Sequence, residues 1–260
     1  MLTKVYKGSS MNFFKATALA LLLASINAFA INGIRIGAKA AGSYNAFWGI
    51  HNTINVSQYA NEYYVEKRDY SGLNKARGAG FSFGATSMMF LTNNLSLVPE
   101  LLVSYRTHSA KLEKIYQSWE HNRREDYWYP ENYYTYEMPE ITIKQWFLDV
   151  PVYVRCLVFS GLFVEAGPVL SLNFKSEGKS DIYTADISDY TSTVVVEFGG
   201  NVGYSIFLGN GYVIDIAAGA QLGLTSLVNK NAKSESSLDV SKFAGMKDLI
   251  VNFSVGYWFL

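Results

Sequence analysis

Cysteine is almost missing from this 260-residue chain. Cys156 stands alone, which excludes a disulfide framework and a multi-cysteine zinc site. Charge is sparse as well: 22 basic side chains face 22 acidic ones, the formal net charge is zero, and charged residues make up 17% of the sequence. Ordinary soluble domains carry about 25%. With no basic excess to neutralise phosphates, nucleic-acid binding is not expected. The three histidines, His51, His108 and His121, have no partner at the i+4 spacing of a helical zinc site, so no metal and no other cofactor is expected. Beyond residue 30 no apolar run reaches the roughly 20 residues of a spanning helix. What the chain does contain is apolar and aromatic, with 49% hydrophobic residues and 19 tyrosines. Such a composition is too apolar and too weakly charged for disorder.

The first thirty residues read as an address. Lys15 precedes the apolar run Ala16 to Ile26, and Ala28-Phe29-Ala30 supplies a small-x-small site. A positive flank, a short apolar stretch and a small-residue cleavage site are the parts of a secretory signal. Residues 1–30 are therefore expected to be a cleaved signal peptide, with Met1 and Met11 both open as the true start, and residues 31–260 a single domain. Losing Lys4, Lys7 and Lys15 from 22 leaves 19 basic against 22 acidic groups, a net of −3. If this exported chain lives in a membrane, it must close into a barrel, because hydrocarbon leaves no other way to satisfy the backbone.

Period-two alternation runs through the rest. Leu249, Val251, Phe253, Val255, Tyr257 and Phe259 share one phase, with Asn252, Ser254 and Gly256 on the other. Ile214, Ile216, Ala218, Ala220, Leu222 and Leu224 alternate in the same way with Asp215, Gly219, Gln221 and Gly223. Eight such segments occur, at about 33–45, 78–90, 95–106, 141–159, 162–174, 193–208, 212–228 and 248–260. Tight turns at Leu91 to Asn94, Ser160-Gly161 and Gly209-Asn210-Gly211 separate four long connections, at about 46–77, 107–140, 175–192 and 229–247. Strict alternation of short and long connections puts all short turns at one end. That is the outer-membrane arrangement, with short periplasmic turns and long extracellular loops. The expected fold is all-β: a closed antiparallel eight-stranded up-and-down transmembrane β-barrel in the bacterial outer membrane.

The stretch Leu148-Asp149-Val150-Pro151-Val152-Tyr153-Val154-Arg155, followed by Gly161-Leu162-Phe163-Val164-Glu165-Ala166-Gly167-Pro168, resembles the central hairpin of the PorT-type outer-membrane β-barrel family. The resemblance covers the chain after residue 30 in strand order and loop pattern, and only this hairpin is motif-specific. It implies an eight-stranded outer-membrane barrel and no reaction.

With the apolar phase on lipid, the other phase fills the lumen. It places Arg35, Lys39, Glu100, Arg106, Asp149, Arg155, Glu165, Glu197 and Asp215 inside. An eight-stranded barrel is just wide enough for side chains to fill, and isolated buried charges cost several kcal/mol. A salt-bridged plug is the expectation; a polar conduction path is the alternative. The inward glycines Gly199, Gly203, Gly219, Gly223 and Gly256 make room for large neighbours. Cys156 falls on the lipid phase.

Two constellations hold residue types that can carry chemistry. His51 or His108 with Ser109 and Asp69 has the residue types of a rim hydrolase, with no spacing that singles it out. The second long connection holds Tyr116, Trp119, Tyr127, Trp128, Tyr129, Tyr133, Tyr134 and Tyr136, interleaved with Arg123, Arg124, Glu125 and Asp126. Large rigid aromatics suit a binding surface, or an interfacial girdle. The chain is thus expected to be a non-enzymatic, monomeric outer-membrane barrel with a structural or surface-binding role. Its expected partners are membrane lipid and an unidentified surface ligand or protein. A narrow pore for ions or small solutes is the alternative; a soluble lipocalin-like barrel and a rim enzyme are weaker ones.

Overall fold

The computed structural model of the chain describes residues 33–49, 53–61, 64–72, 75–122, 127–180, 184–229 and 245–259. Both the expected signal peptide and His51 lie outside them, as do residues 123–126. In chain order the strands are β1 (Ile34–Trp48), β2 (Thr53–Asn61), β3 (Tyr64–Ser71), β4 (Arg77–Phe90), β5 (Leu95–Asn122), β6 (Tyr127–Phe159), β7 (Leu162–Lys179), β8 (Thr184–Asp186), β9 (Val194–Phe207), β10 (Val213–Gly223) and β11 (Lys247–Phe259). Among the described residues no helix is long and apolar enough to cross a membrane.

Eight of these strands form a ring. The antiparallel order is β1-β4-β5-β6-β7-β9-β10-β11, and β11 returns to β1 through thirteen paired positions from Ile36 with Phe259 to Trp48 with Lys247. Closure leaves the barrel no free edge. The ring strands are those that the alternation predicts, with ends shifted by up to five residues except where β5 and β6 run on past the barrel. The short turns have local causes. Ser160 and Gly161 both take positive φ, 42° and 93°, the conformation that a two-residue hairpin needs. At the first turn the Thr92 hydroxyl accepts the Asn94 and Leu95 amides. In the third, Leu208 N–H donates to the Tyr212 carbonyl at 2.9 Å.

Two long connections differ from the expectation of loops. Strands β5 and β6 run on past the barrel as one ribbon, paired from Ala110 with Ile141 to Asn122 with Tyr127, with register shifts at Lys111/Glu113 and Ser118/Trp119. The hairpin β2–β3 adds to it, β3 pairing with β5 from Tyr64 with Glu120 to Ser71 with Glu113. A four-stranded extension, β2-β3-β5-β6, therefore rises from the long-loop end. The physical reason lies in the composition: tyrosine, tryptophan, isoleucine and threonine favour extended backbone, and a connection dense in them continues the sheet. At the other extreme β10 stops at Gly223, where the expected segment continued to 228. There Leu224 and Thr225 donate to the Val196 carbonyl, and the chain folds inward at Leu227.

The wall is inverted relative to a soluble protein. Phe83, Val202 and Phe253 are more than half exposed on the outer face, and Cys156 is exposed with them. The inner face is filled from end to end. An apolar layer closes the long-loop end: Phe47, Phe147 and Val195 from the strands meet Leu227, Val228 and Met246 from the connections. Near the short turns, Met88, Val98, Val213 and Trp258 form a second layer. Two aromatic belts bracket the outer apolar band, one containing Tyr105 and Trp146 and the other Tyr212 and Tyr257. On β6, Trp146 to Val158 spans about 40 Å of strand. At the roughly 45° tilt of such barrels this is about 28 Å of membrane thickness.

Filling depends on missing side chains as much as on present ones. At Gly203 a Cβ would collide with the buried Phe163 ring, the Ile216 carbonyl and Ala217. At Gly42, on the outer face, it would meet nothing within 4 Å. Gly203→Val is expected to overpack the lumen, at about 1–3 kcal/mol or more, and to cut the yield of heat-modifiable, folded barrel. Gly42→Ala is expected to fold as wild type in the same gel-shift assay.

Candidate functional site

Each strand delivers its inward charge to one of two levels. At the lower level, Lys39 of β1 donates to Glu100 of β5 at 2.8 and 3.1 Å and lies 3.8 Å from Glu165 of β7. Arg155 of β6 holds Glu165 through Nε at 2.8 Å and Asp215 of β10 through Nη1 at 2.5 Å. The Asp215 carboxylate also accepts the Ser205 hydroxyl and the Trp258 indole N–H, at 2.6 and 2.7 Å. Asn201 donates to Glu165 at 2.9 Å. The Arg155 guanidinium lies 3.9 Å from the Phe163 ring centroid and 5.5 Å from that of Trp258, a cation–π setting on both rings.

At the upper level Arg106 of β5 gathers three carboxylates. Asp149 of β6 accepts at 2.9 Å, Glu197 of β9 at 2.6 Å and Asp248 of β11 at 2.9 Å. Ser104 donates to Asp149, and Ser171 accepts from Arg106 at 3.2 Å. Above this cluster His108 stacks on Phe47, centroids 3.9 Å apart. Its Nε2 is 2.9 Å from Asp248, close enough for an ion pair but outside hydrogen-bond geometry. Between the levels Gln221 donates to the Tyr153 hydroxyl at 3.3 Å. The space beside them, bounded by Lys39, Glu100, Arg106, Asp149 and Asn201, is a cavity of about 30 Å³. That is room for about two water molecules.

The expected lumen charges thus separate as follows. Lys39, Glu100, Glu165, Arg155 and Asp215 meet at the lower level, and Arg106, Asp149 and Glu197 at the upper. Arg35 joins neither; it sits at the short-turn mouth with its guanidinium 5.3 Å from the Phe90 ring centroid. Two members escape the sequence reading. Asp248 is fully buried and shares the phase of Asn252 and Ser254. His108, read there as part of a long connection, is 1% exposed and lies two residues beyond Arg106 on the inward phase. Phase alone could have found both.

This placement separates His108 from Ser109 in the rim-hydrolase constellation, whose other histidine, His51, lies outside the described residues. His108 faces the lumen, whereas Ser109 is on the outer phase with its hydroxyl 2.7 Å from that of Thr142. Asp69 lies in β3, in register with Ile115 of the extension. Among the described residues no group of three or more His, Cys, Asp or Glu side chains could hold a metal ion.

The eight aromatic positions of the second long connection all fall on β5 or β6 of the extension. Register divides them. Tyr116 pairs with Tyr134, Lys114 with Tyr136, Glu120 with Tyr129 and Asn122 with Tyr127, so these tyrosines share one face. Gln117 with Tyr133, Trp119 with Pro130 and His121 with Trp128 belong to the other. The first face continues across β3 and β2. One row reads Val56, Arg68, Tyr116, Tyr134, and the next Ile54, Tyr70, Lys114, Tyr136.

Removing one partner of a buried cluster leaves the others uncompensated, at a cost of about 3–5 kcal/mol. Arg106→Met is expected to lose at least that much, because three carboxylates then face one another. Urea unfolding of the barrel in lipid vesicles measures it. An equally stable variant would show that Asp149, Glu197 and Asp248 do not depend on Arg106.

A family model described as an outer membrane protein beta-barrel domain matches residues 23–229. Among curated proteins nothing matches. Solved structures give weak likenesses. Neisserial surface protein A aligns at TM-score 0.40 and 11% identity over 86% of this chain and 98% of its own. The autotransporter NalP translocator domain of Neisseria meningitidis aligns at 0.24 and 12% over 96% and 98%. The outer membrane protease OmpT of Escherichia coli aligns at 0.29 and 10% over 86% and 93%. These values carry no argument about role, and the family match rests on the sequence. With a closed eight-stranded ring, an outward apolar band and this match, the chain belongs to the outer membrane protein beta-barrel domain family and is a protein of the bacterial outer membrane.

Proposed function

We propose that this protein is a sealed, non-enzymatic surface receptor: the barrel anchors it, and the four-stranded extension binds a ligand outside the cell. The observation that carries this reading is the lumen, filled by two ionic levels and capped by an apolar layer at each end. A narrow pore would need a continuous wet path, and paired charges and buried rings occupy the described lumen between the two apolar layers. Activity is thereby displaced to the outer surface. There the rows through Arg68, Tyr116 and Tyr134 and through Tyr70, Lys114 and Tyr136 set aromatics beside cations on one sheet face. That combination suits a sugar chain with acidic substituents: ring faces stack on aromatics and carboxylate or sulfate groups meet Arg and Lys.

The hairpin that resembles PorT-type barrels contributes Asp149, Arg155 and Glu165 to the two levels. On it we place the chain among PorT-type barrels and read the motif as one of interior packing. We further take residues 1–30 to be removed on export and the barrel to act as a monomer.

Two measurements test this. Protein inserted in a planar bilayer is expected to give no resolved conductance steps; steady steps would overturn the sealed reading. On an array of acidic and neutral glycans the wild type is expected to favour acidic chains. Combined Tyr116→Ala, Tyr134→Ala and Tyr136→Ala substitution should weaken that binding by about tenfold, some 1.4 kcal/mol, without changing the gel shift. Unchanged binding by the folded triple variant would refute the role of this face.

A further inference from the structure

The outer wall across β4, β5, β6 and β7 changes character row by row toward the long-loop end. Phe83, Val103, Leu148 and Leu172 lie side by side in register and are wholly apolar. Phe81, Tyr105, Trp146 and Lys175 form the next row. Its rings make a platform: Tyr105 and Trp146 have centroids 4.8 Å apart, and Phe81 meets Trp146 edge-on at 5.9 Å. Above it Thr107 pairs with Lys144, and Lys144 with Glu177. The last row reads Arg77, Ser109, Thr142, Lys179, a cation at each end and two hydroxyls 2.7 Å apart between them.

This patch is basic and one-sided. Arg77, Lys111, Lys144, Lys175 and Lys179 face Glu140 and Glu177, and of the lysines only Lys175 is paired, with Glu177 at 2.6 Å, among the described residues. The opposite wall carries Tyr44, Val194, Phe198, Leu222 and Val251 on its outer phase. Lys247 there lies 4.9 Å from the Trp48 ring centroid. A uniform girdle would treat both walls alike.

Rows step by two residues, about 6.7 Å, so the Arg77–Lys179 row stands about 13 Å along the strands above the aromatic row. With a tilt of roughly 45° this is about 9 Å along the membrane normal. Belt aromatics mark the edge of the hydrocarbon, and cations that far beyond it reach the phosphate layer of the outer leaflet.

We propose that this wall is a binding site for a phosphorylated lipid headgroup of the outer leaflet. The acyl chains lie along the Phe83–Leu172 row and the platform above it. Lys144 and Lys179 hold the phosphate, and the Ser109 and Thr142 hydroxyls hydrogen-bond the headgroup. A soluble anion lacks the chains that the apolar rows would cover, so the complementarity is to a lipid. The proposal is independent of the glycan-binding extension, whose tyrosines it does not use.

Native mass spectrometry of the detergent-purified full chain tests it, with three probes titrated separately: bis-phosphorylated lipid A, the same lipid with its phosphates removed, and inorganic phosphate. Wild type is expected to retain the phosphorylated lipid at least about tenfold more tightly than the dephosphorylated one. Combined Lys144→Gln and Lys179→Gln should abolish that preference, and Lys144→Arg with Lys179→Arg should keep it. Equal binding of both lipids by wild type would overturn the proposal without recourse to any variant. So would undiminished preference in the folded Gln variant, or inorganic phosphate binding as tightly as the phosphorylated lipid.

Discussion

Everything in this barrel depends on charges that have nowhere else to go. Between the two aromatic belts the outer face meets hydrocarbon, so the charged side chains of that part of the wall turn inward and pair across the lumen. Arg106 on β5 does so by reaching β6, β9 and β11 through Asp149, Glu197 and Asp248. Arg155 ties β6 to β7 and β10, Lys39 ties β1 to β5 and β7, and Thr86 brings in β4 through Glu100. All eight ring strands are thereby joined through side chains as well as through the backbone. A slip of one residue in any pairing would carry an Arg or a Glu into the lipid phase. The pairs add little net stability over a well-packed apolar interior; their effect is to make one register acceptable and its neighbours very costly.

Glycine and tyrosine are the other side of the same constraint. A narrow lumen that must hold Phe163, Tyr153, Trp258 and two guanidinium groups has no volume left for side chains at Gly199 or Gly203. The bulky aromatics in turn supply ring faces for Arg106 and Arg155. Packing and charge pairing are solved by the same residues, so neither can be altered alone.

Period two made the ring legible in the sequence, because lipid on one side and a packed lumen on the other enforce alternation on every strand. The inward charges followed from that phase. Asp248 and His108 obey the same phase, but Asp248 is the first residue of its expected segment and His108 lies two residues past the end of its own, in a stretch read as a connection although β5 runs on through it. The extension was less legible for a physical reason. Outside the membrane nothing enforces alternation of apolar and polar residues, so Tyr116 to Tyr136 read as a loop although their β-propensity was high. Which carboxylate meets which cation was not legible either, since that depends on pairings between strands distant in sequence, such as Arg106 with Asp248.

The continuity of β5 and β6 from the lumen to the tip of the extension has a mechanical consequence. These two strands hold 28 and 33 residues, and their hydrogen bonds run perpendicular to the strand direction. A ligand pulling outward on the tip loads the β5–β6 ladder, and the ladders to β4 and β7, in shear, so that many bonds bear the force together and none can be peeled off singly. The ionic levels inside the ring oppose the same displacement. A protein built in this way transmits tension at its surface to the whole barrel, and holds under load as an anchor does.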